Sequence, residues 1–182
     1  MNHHAEESRR ARAAVQRALF ALMDGKHFSD ITVSDIVRES GVARSTYYRN
    51  FASKEQVLES FVEGMHDELA ERRARFGRGD YDYFGEDELA AALAYYDERR
   101  DPILKLYDNG FGSMAQGLFN LHAIDELGDM PASSVERYRI YAFTGAMANV
   151  LVEWLREGAK ETPEEMARLL IHVGRDIVGL DG

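Results

Sequence analysis

The sequence predicts an all-α protein, and three observations carry that prediction. Apolar residues recur at spacings of three and four along nearly the whole chain, helix-capping pairs stand at Thr32, Ser53 and Thr162, and no stretch alternates apolar and polar residues as a half-buried strand does. At 182 residues and 45% apolar composition, the chain can bury a core and suits one globular unit or two small ones. The expected organisation is a three-helix head over residues 1–52 and a helical body over 53–182.

The first helix is expected from about Glu6 to Asp24, where Val15, Ala18, Leu19, Leu22 and Met23 form one apolar face and Gly25 ends the run. Thr32 opens the second. Its hydroxyl can cap the amide of Asp35 while the Asp35 carboxylate reaches back, and Ile31 and Ile36 hold the spacing of a hydrophobic staple. Gly41 closes that helix, since a residue without Cβ enters the left-handed region at no steric cost. A third helix runs from Arg44 to Asn50, with Tyr47 and Phe51 four apart on one side and Arg44, Ser45, Tyr48 and Arg49 left outward. Phe28 and Ile31 should fold back on Leu19, Leu22 and Met23 and complete a core with Ile36, Val37, Tyr47 and Phe51.

Two short helices joined by a Gly-containing turn form a helix-turn-helix, and a two-turn helix with arginine, hydroxyl and phenol groups outward fits a major groove. Such corners also occur in helical proteins that never touch nucleic acid. The residues themselves discriminate. Phe28 to Ile36, then Gly41 to Phe51 and Ser53-Lys54-Glu55, resemble the N-terminal domain of the TetR/AcrR family of bacterial transcriptional regulators over about residues 10–60. One departure is Ala43, where the family often has a capping serine, a loss of about 1 kcal/mol of side-chain capping.

Ser53 and Gln56 form a second capping box, opening a helix through Val57, Leu58, Phe61, Val62, Met65 and Leu69 to about Phe76. Lys54 sits at its first position, against the helix dipole, which points to an external anion; the resemblance implies a contact to a DNA phosphate. Arg72, Arg73, Arg75 and Arg78 crowd the far end, where the dipole favours them, and read as structural. Residues 77–86 hold three glycines and read as a linker. Further helices follow at Glu86 to Arg99, at Asp101 to Asp108 with Asp101 as cap and Pro102 first, and at Ser113 to Leu127.

The last two helices are the best marked. Ser133 with Glu136 opens one that reaches Glu157 before Gly158, and Thr162-Pro163-Glu164-Glu165 joins a capping box to a proline at the first helical position. Val135, Tyr138, Tyr141, Phe143, Met147, Val150, Leu151, Trp154 and Leu155 leave the first of these little polar face, and Met166, Leu169, Leu170, Val173, Ile177 and Leu180 line the second. A helix apolar nearly all round must be buried on two sides. The pair is therefore expected to form a homodimer interface across about residues 133–180, as the resemblance also implies, with a monomer that buries them internally as the alternative.

The formal charge of -10 divides unevenly. Residues 1–60 hold 9 Lys/Arg against 8 Asp/Glu, and residues 61–182 hold 13 against 24. An acidic body limits sequence-blind attraction to phosphates while the head keeps Arg44, Arg49 and Lys54. Arg9, Arg10 and Arg12 are either an arm along the phosphates or a solvated helix end, and His3 and His4 read as disordered rather than metal-binding. No cysteine is present, no apolar run reaches the ~20 residues of a membrane span, and the start lacks the apolar region of a signal peptide, so a cytoplasmic location is expected.

Enzymatic motifs are missing: no Gly-rich phosphate loop, no HExxH, no GxSxG. A di-iron bundle needs Glu-x-x-His on two helices, and only Glu63-x-x-His66 fits, so no enzyme, metal or cofactor is expected. The reading is a homodimeric regulator of a pseudo-palindromic DNA operator, a repressor as the family mostly is, answering to an unknown small molecule; the alternative is a helical interaction protein without specific DNA binding. Arg44, Ser45 and Arg49 are candidates for base edges, and Thr32, Tyr48 and Lys54 for phosphates. An effector pocket is expected among Tyr95, Tyr96, Leu106, Tyr107, Phe111, Met114, Phe119, His122, Met147, Asn149 and Trp154, signalling by a tilt of the helix that starts at Ser53.

Overall fold

Caps and glycines set where the chain turns. In the computed structural model, residues 3–75, 85–127 and 136–178 are described; most of the expected linker at 77–86, the cap Ser133 with Val135, and Leu180 lie outside them. Among the described residues there are nine α-helices, one 3-10 turn and no strand.

The head is α1 (His3–Leu22), the 3-10 turn Phe28–Asp30, α2 (Val33–Ser40) and α3 (Arg44–Asn50). The reciprocal cap at Thr32 and Asp35 forms as expected, and Gly41 closes α2 at φ 68°. Ala43 provides no side-chain cap for α3, which is held instead at its other end by the Phe51 amide donating to the Tyr47 carbonyl. Leu19, Ile31, Ile36, Tyr47 and Phe51 are almost wholly buried together, each aliphatic or aromatic group contributing roughly 1.5–3 kcal/mol by burial. Helix α1 starts three residues earlier than expected, and its first turns are not a trailing arm: Arg9 and Arg10 pair with Glu6, and the Arg12 guanidinium lies 5.4 Å from the Phe51 ring.

Helix α4 (Lys54–Arg75) leaves the head and enters the body. Phe20 meets Phe61 edge-on at 4.7 Å, and Gln16 donates to Ser60 at 2.9 Å, so α1 and α4 are fixed to each other. The Ser53 hydroxyl caps the Gln56 amide as expected, but the Gln56 carbonyl oxygen takes the Ala52 amide rather than that of Ser53. Within the body, α5 (Glu86–Asp97) packs along α9 (Pro163–Val178), and α7 (Gly112–Leu127) packs between α4 and α8 (Glu136–Arg156). Helix α6 (Arg100–Asp108) contacts α5, α7 and α8. It begins one residue before Asp101, so Pro102 occupies its third position, still within the first turn where a missing amide costs nothing.

Much of the apolar surface expected at the dimer interface is spent inside the chain. Ile140, Phe143, Val152, Trp154 and Leu155 of α8 and Met166, Ala167 and Leu170 of α9 are buried without a second copy. What stays outside on these helices is Tyr138 at 70% exposure, Tyr141 at 37% and Leu169 at 50%. Part of the apolar surface of α9 is covered within the chain by α5, which packs along it.

Candidate nucleic-acid interface and effector cavity

Helix α3 is anchored by what it buries and by two contacts the sequence did not reveal. Tyr47 and Phe51 face the core, and Asn50 bonds the Thr46 carbonyl through its amide nitrogen while its Oδ1 accepts from the Ser8 hydroxyl at 2.6 Å. The Tyr47 hydroxyl is buried with no hydrogen-bond partner among the described residues, and that burial pushes its pKa up to about 12. On the outer side, Arg44, Ser45, Tyr48 and Arg49 are all exposed, at positions that fall within one side of a helical turn.

The four differ in readiness. Ser45 and Arg49 make no hydrogen bond or ion pair among the described residues, so their donors are free for an external partner. Arg44 is folded back: it donates to Ser34 at 2.9 Å and to the Tyr48 hydroxyl at 3.3 Å, its guanidinium 5.6 Å from the Tyr48 ring. Thr32 is committed to the α2 cap. Its backbone and side-chain hydrogen bonds, with Arg38 beside them, hold the Asp35 carboxyl well below the usual carboxylate range.

Lys54 is where the sequence argument changes most. Its ammonium donates to the carbonyls of Phe28 at 2.7 Å, Ile31 at 2.8 Å and Ser29 at 3.2 Å, and lies 4.4 Å from the Phe28 ring. All three donors are thus occupied inside the head. The placement against the helix dipole is explained by these carbonyls, so it gives no independent reason to invoke an outside anion.

The same Phe28 turn receives the body. Asn109, just after α6, accepts the Phe28 amide at 3.0 Å; Phe111 meets the Phe28 ring edge-on at 4.6 Å. Lys105 of α6 pairs with Asp24 at 2.6 Å and Asp101 at 2.7 Å and donates to the Phe20 carbonyl at 3.3 Å. Burial alone lowers the Lys105 pKa, but the bonds to Asp101 and Asp24 outweigh it and raise it.

On its other face α6 lines a partly open cavity of about 70 Å³, bounded by side chains of α4 to α8. Of the expected pocket residues, Tyr96, Leu106, Tyr107, Phe119 and Met147 line it. The other six do not, each for a physical reason. Tyr95 is fully buried, its hydroxyl on Glu68 at 2.9 Å and its ring under the guanidinium of Arg99. Phe111 is taken by Phe28, Met114 packs on the core, and Asn149 is exposed. Trp154 donates its indole N–H to the Glu161 carbonyl at 3.1 Å, and His122 stacks outside the cavity on His66 at 4.1 Å. The sequence reading missed His66, Gln116 and the small residues Ala92, Ala115 and Ala148 that leave the space open. Aromatic content drew attention away from them; alanines on inward helix faces were the available signal.

Comparison with known proteins accords with this geometry. Residues 17–61 match the family described as bacterial regulatory proteins, tetR family, and residues 91–176 match a transcriptional regulator C-terminal region. The chain is 28% identical over 170 residues to the uncharacterized HTH-type transcriptional regulator YxbF of Bacillus subtilis, covering 87% of this chain and 43% of that protein. It is 30% identical over 87 residues to DhaS of Lactococcus lactis, named as the transcriptional activator of the dhaKLM operon, covering 47% of this chain and 43% of that protein. The aligned stretches thus span less than half the length of either relative. Among solved structures, a TetR transcriptional regulator from Streptococcus agalactiae superposes with TM-score 0.63 at 21% identity, over 94% of this chain and 97% of that one. A dihydroxyacetone kinase operon activator, DhaS, superposes with TM-score 0.59 at 20% identity, over 93% and 97%, so the fold is shared along nearly the full length. With residues 17–61 and 91–176 matched to these two models, the chain belongs to the TetR family of bacterial regulatory proteins.

Proposed function

We propose that the chain is a sequence-specific DNA-binding transcriptional regulator, acting as a homodimer on a pseudo-palindromic operator under the control of a small-molecule effector. The observation that carries this reading is the outer face of α3, where Ser45 and Arg49 have no partner among the described residues, beside exposed Arg44 and Tyr48. In the proposal α3 enters the major groove, Arg49, Ser45 and Arg44 read base edges, and Tyr48 sets the register on phosphates, joined by Thr32 once its hydroxyl turns from Asp35. Arg44 must first release Ser34. Lys54 contributes charge near the backbone, its donors staying on the Phe28 turn.

The homodimer is proposed through the outer faces of α8 and α9, where Tyr138, Tyr141 and Leu169 remain exposed. Two-fold symmetry then places half-sites about 34 Å apart or a multiple of it. The proposed place of action is the cytoplasm; among the described residues no helix is long and apolar enough to cross a membrane. Support for a switch comes from α6, which lines the cavity on one side and holds Asp24 and the Phe28 turn on the other. A ligand that favours one position of α6 biases the head with it, in addition to any tilt of α4.

Binding to the DNA upstream of the chain's own gene, by mobility shift across a salt series, tests the reading. Tight binding to one palindromic fragment, falling steeply with salt and weakened about 5–150-fold by Arg49→Ala, is expected. Weak binding to every fragment, unchanged in the variant, refutes it and leaves an interaction protein. The proposed sign is repression: a reporter on that promoter should rise when the gene is deleted. A fall makes the chain an activator, as the Lactococcus lactis relative is named.

A further inference from the structure

We propose that the effector is a neutral molecule of about one ring carrying a single hydroxyl or N–H group, which it donates to Gln116. This rests on the reading of the chain as an effector-responsive regulator, and three observations define the class. The first is size. The cavity of about 70 Å³ is about half the ~150 Å³ of an apolar cavity that takes benzene, so a single ring, admitted by a small shift of the walls, is the upper limit. Drug-sized ligands need a pocket of roughly 300 Å³ or more.

The second is charge. No Lys, Arg, Asp or Glu lines the cavity among the described residues, so an ammonium would enter without a counter-ion and a carboxylate would have only the His66 ring to answer it, each at the cost of its hydration. Phe119, Tyr96, Met65 and Met147 instead offer ring faces, ring edges and thioethers to an aromatic guest. The third is the polar handle. The Gln116 amide nitrogen donates to Asn120 at 2.8 Å, and Asn120 also takes the Thr144 hydroxyl at 2.6 Å, which fixes the orientation of the Gln116 side chain. Its Oε1 has no partner among the described residues, and an acceptor without a donor beside an apolar cavity selects a guest that brings one.

Calorimetric titration of the purified protein with p-cresol, toluene, benzoate and 1-decanol tests this, alongside the operator mobility shift on the same preparation. p-Cresol should bind, toluene about tenfold more weakly for want of one hydrogen bond, and benzoate and decanol not measurably. Gln116→Leu should abolish the preference for cresol over toluene while toluene still binds. Ala148→Leu, which fills the cavity, should lose cresol binding while still melting cooperatively. Benzoate binding as well as cresol overturns the charge argument, and decanol binding more tightly overturns the size argument. Cresol binding unaltered in Ala148→Leu overturns the site. Failure of every probe to bind, with the operator shift intact, overturns the effector class and leaves the DNA reading standing; cresol binding with no effect on the shift overturns its role as effector.

Discussion

Lys54→Met separates a structural lysine from a DNA-binding one. The substitution keeps the aliphatic stem and removes an ammonium that holds the carbonyls of Phe28, Ser29 and Ile31 and lies against the Phe28 ring. Each such bond is worth about 1–1.5 kcal/mol net, and the contact with the ring adds about 0.5–1 kcal/mol at a partly exposed site. A methionine, as rich in rotamers as the lysine, recovers almost none of the side-chain entropy. The loss is about 3.5–5.5 kcal/mol. For a chain of this length 1 kcal/mol moves the melting temperature by about 2–4 °C, so the free protein should melt about 7–22 °C lower. Thermal unfolding followed by helical circular dichroism, without DNA, reads this directly. Because the partners are neutral carbonyls, raising the salt from 0.1 to 1 M should leave the difference nearly unchanged. A variant that melts within 1 °C of the parent yet binds operator tenfold more weakly would refute the reasoning and return Lys54 to the phosphate role the resemblance implied.

Asp35→Asn probes the α2 cap through pH. The folded carboxyl is held below its unfolded value near 3.8, so its contribution is fully present above about pH 4 and is lost as the pH falls towards the folded value. The parent should be more stable than the variant at pH 6 by chemical denaturation, the gap closing below pH 4; a gap that widens on acidification contradicts the assignment. At Gly112 an added Cβ would come within 2.8 Å of the Tyr107 ring, which lines the cavity. Gly112→Ala should therefore cost about 1–3 kcal/mol and weaken binding of any cavity guest, as melting and calorimetry would record. Ala159 sits at φ 50°, in the left-handed region that disfavours a Cβ by about 1–2 kcal/mol. Ala159→Gly should raise the melting temperature by about 1–4 °C after the entropy of the new glycine is counted, and a lower melting temperature would refute the strain.

The chain by itself determined what short-range chemistry controls. Thr32 with Asp35, Gly41, and Thr162 with Pro163 and Glu165 set helix ends through contacts within one turn, and all three stand where the residues place them. The period of three and four likewise chose the buried faces of α1, α2 and α3, because a helix has only one way to gather Val15, Leu19 and Met23 or Tyr47 and Phe51. The outward group Arg44, Ser45, Tyr48 and Arg49 follows from the same geometry.

Tertiary structure decided everything that joins residues far apart in the chain. Lys54 looked like an unpaired charge until the Phe28 turn, some 26 residues earlier, brought its carbonyls to the ammonium. Asn109 and Lys105 carried no mark of contact with the head, yet they fasten α6 to Phe28 and Asp24. The cavity belongs to the same class. Large residues such as Tyr95 and Trp154 advertise themselves in a sequence, but they fill space, whereas an opening arises where alanines of different helices face one another. Only the packing of α4 to α8 brings Ala92, Ala115 and Ala148 together, because an absence of side-chain volume is a property of neighbours rather than of any one residue.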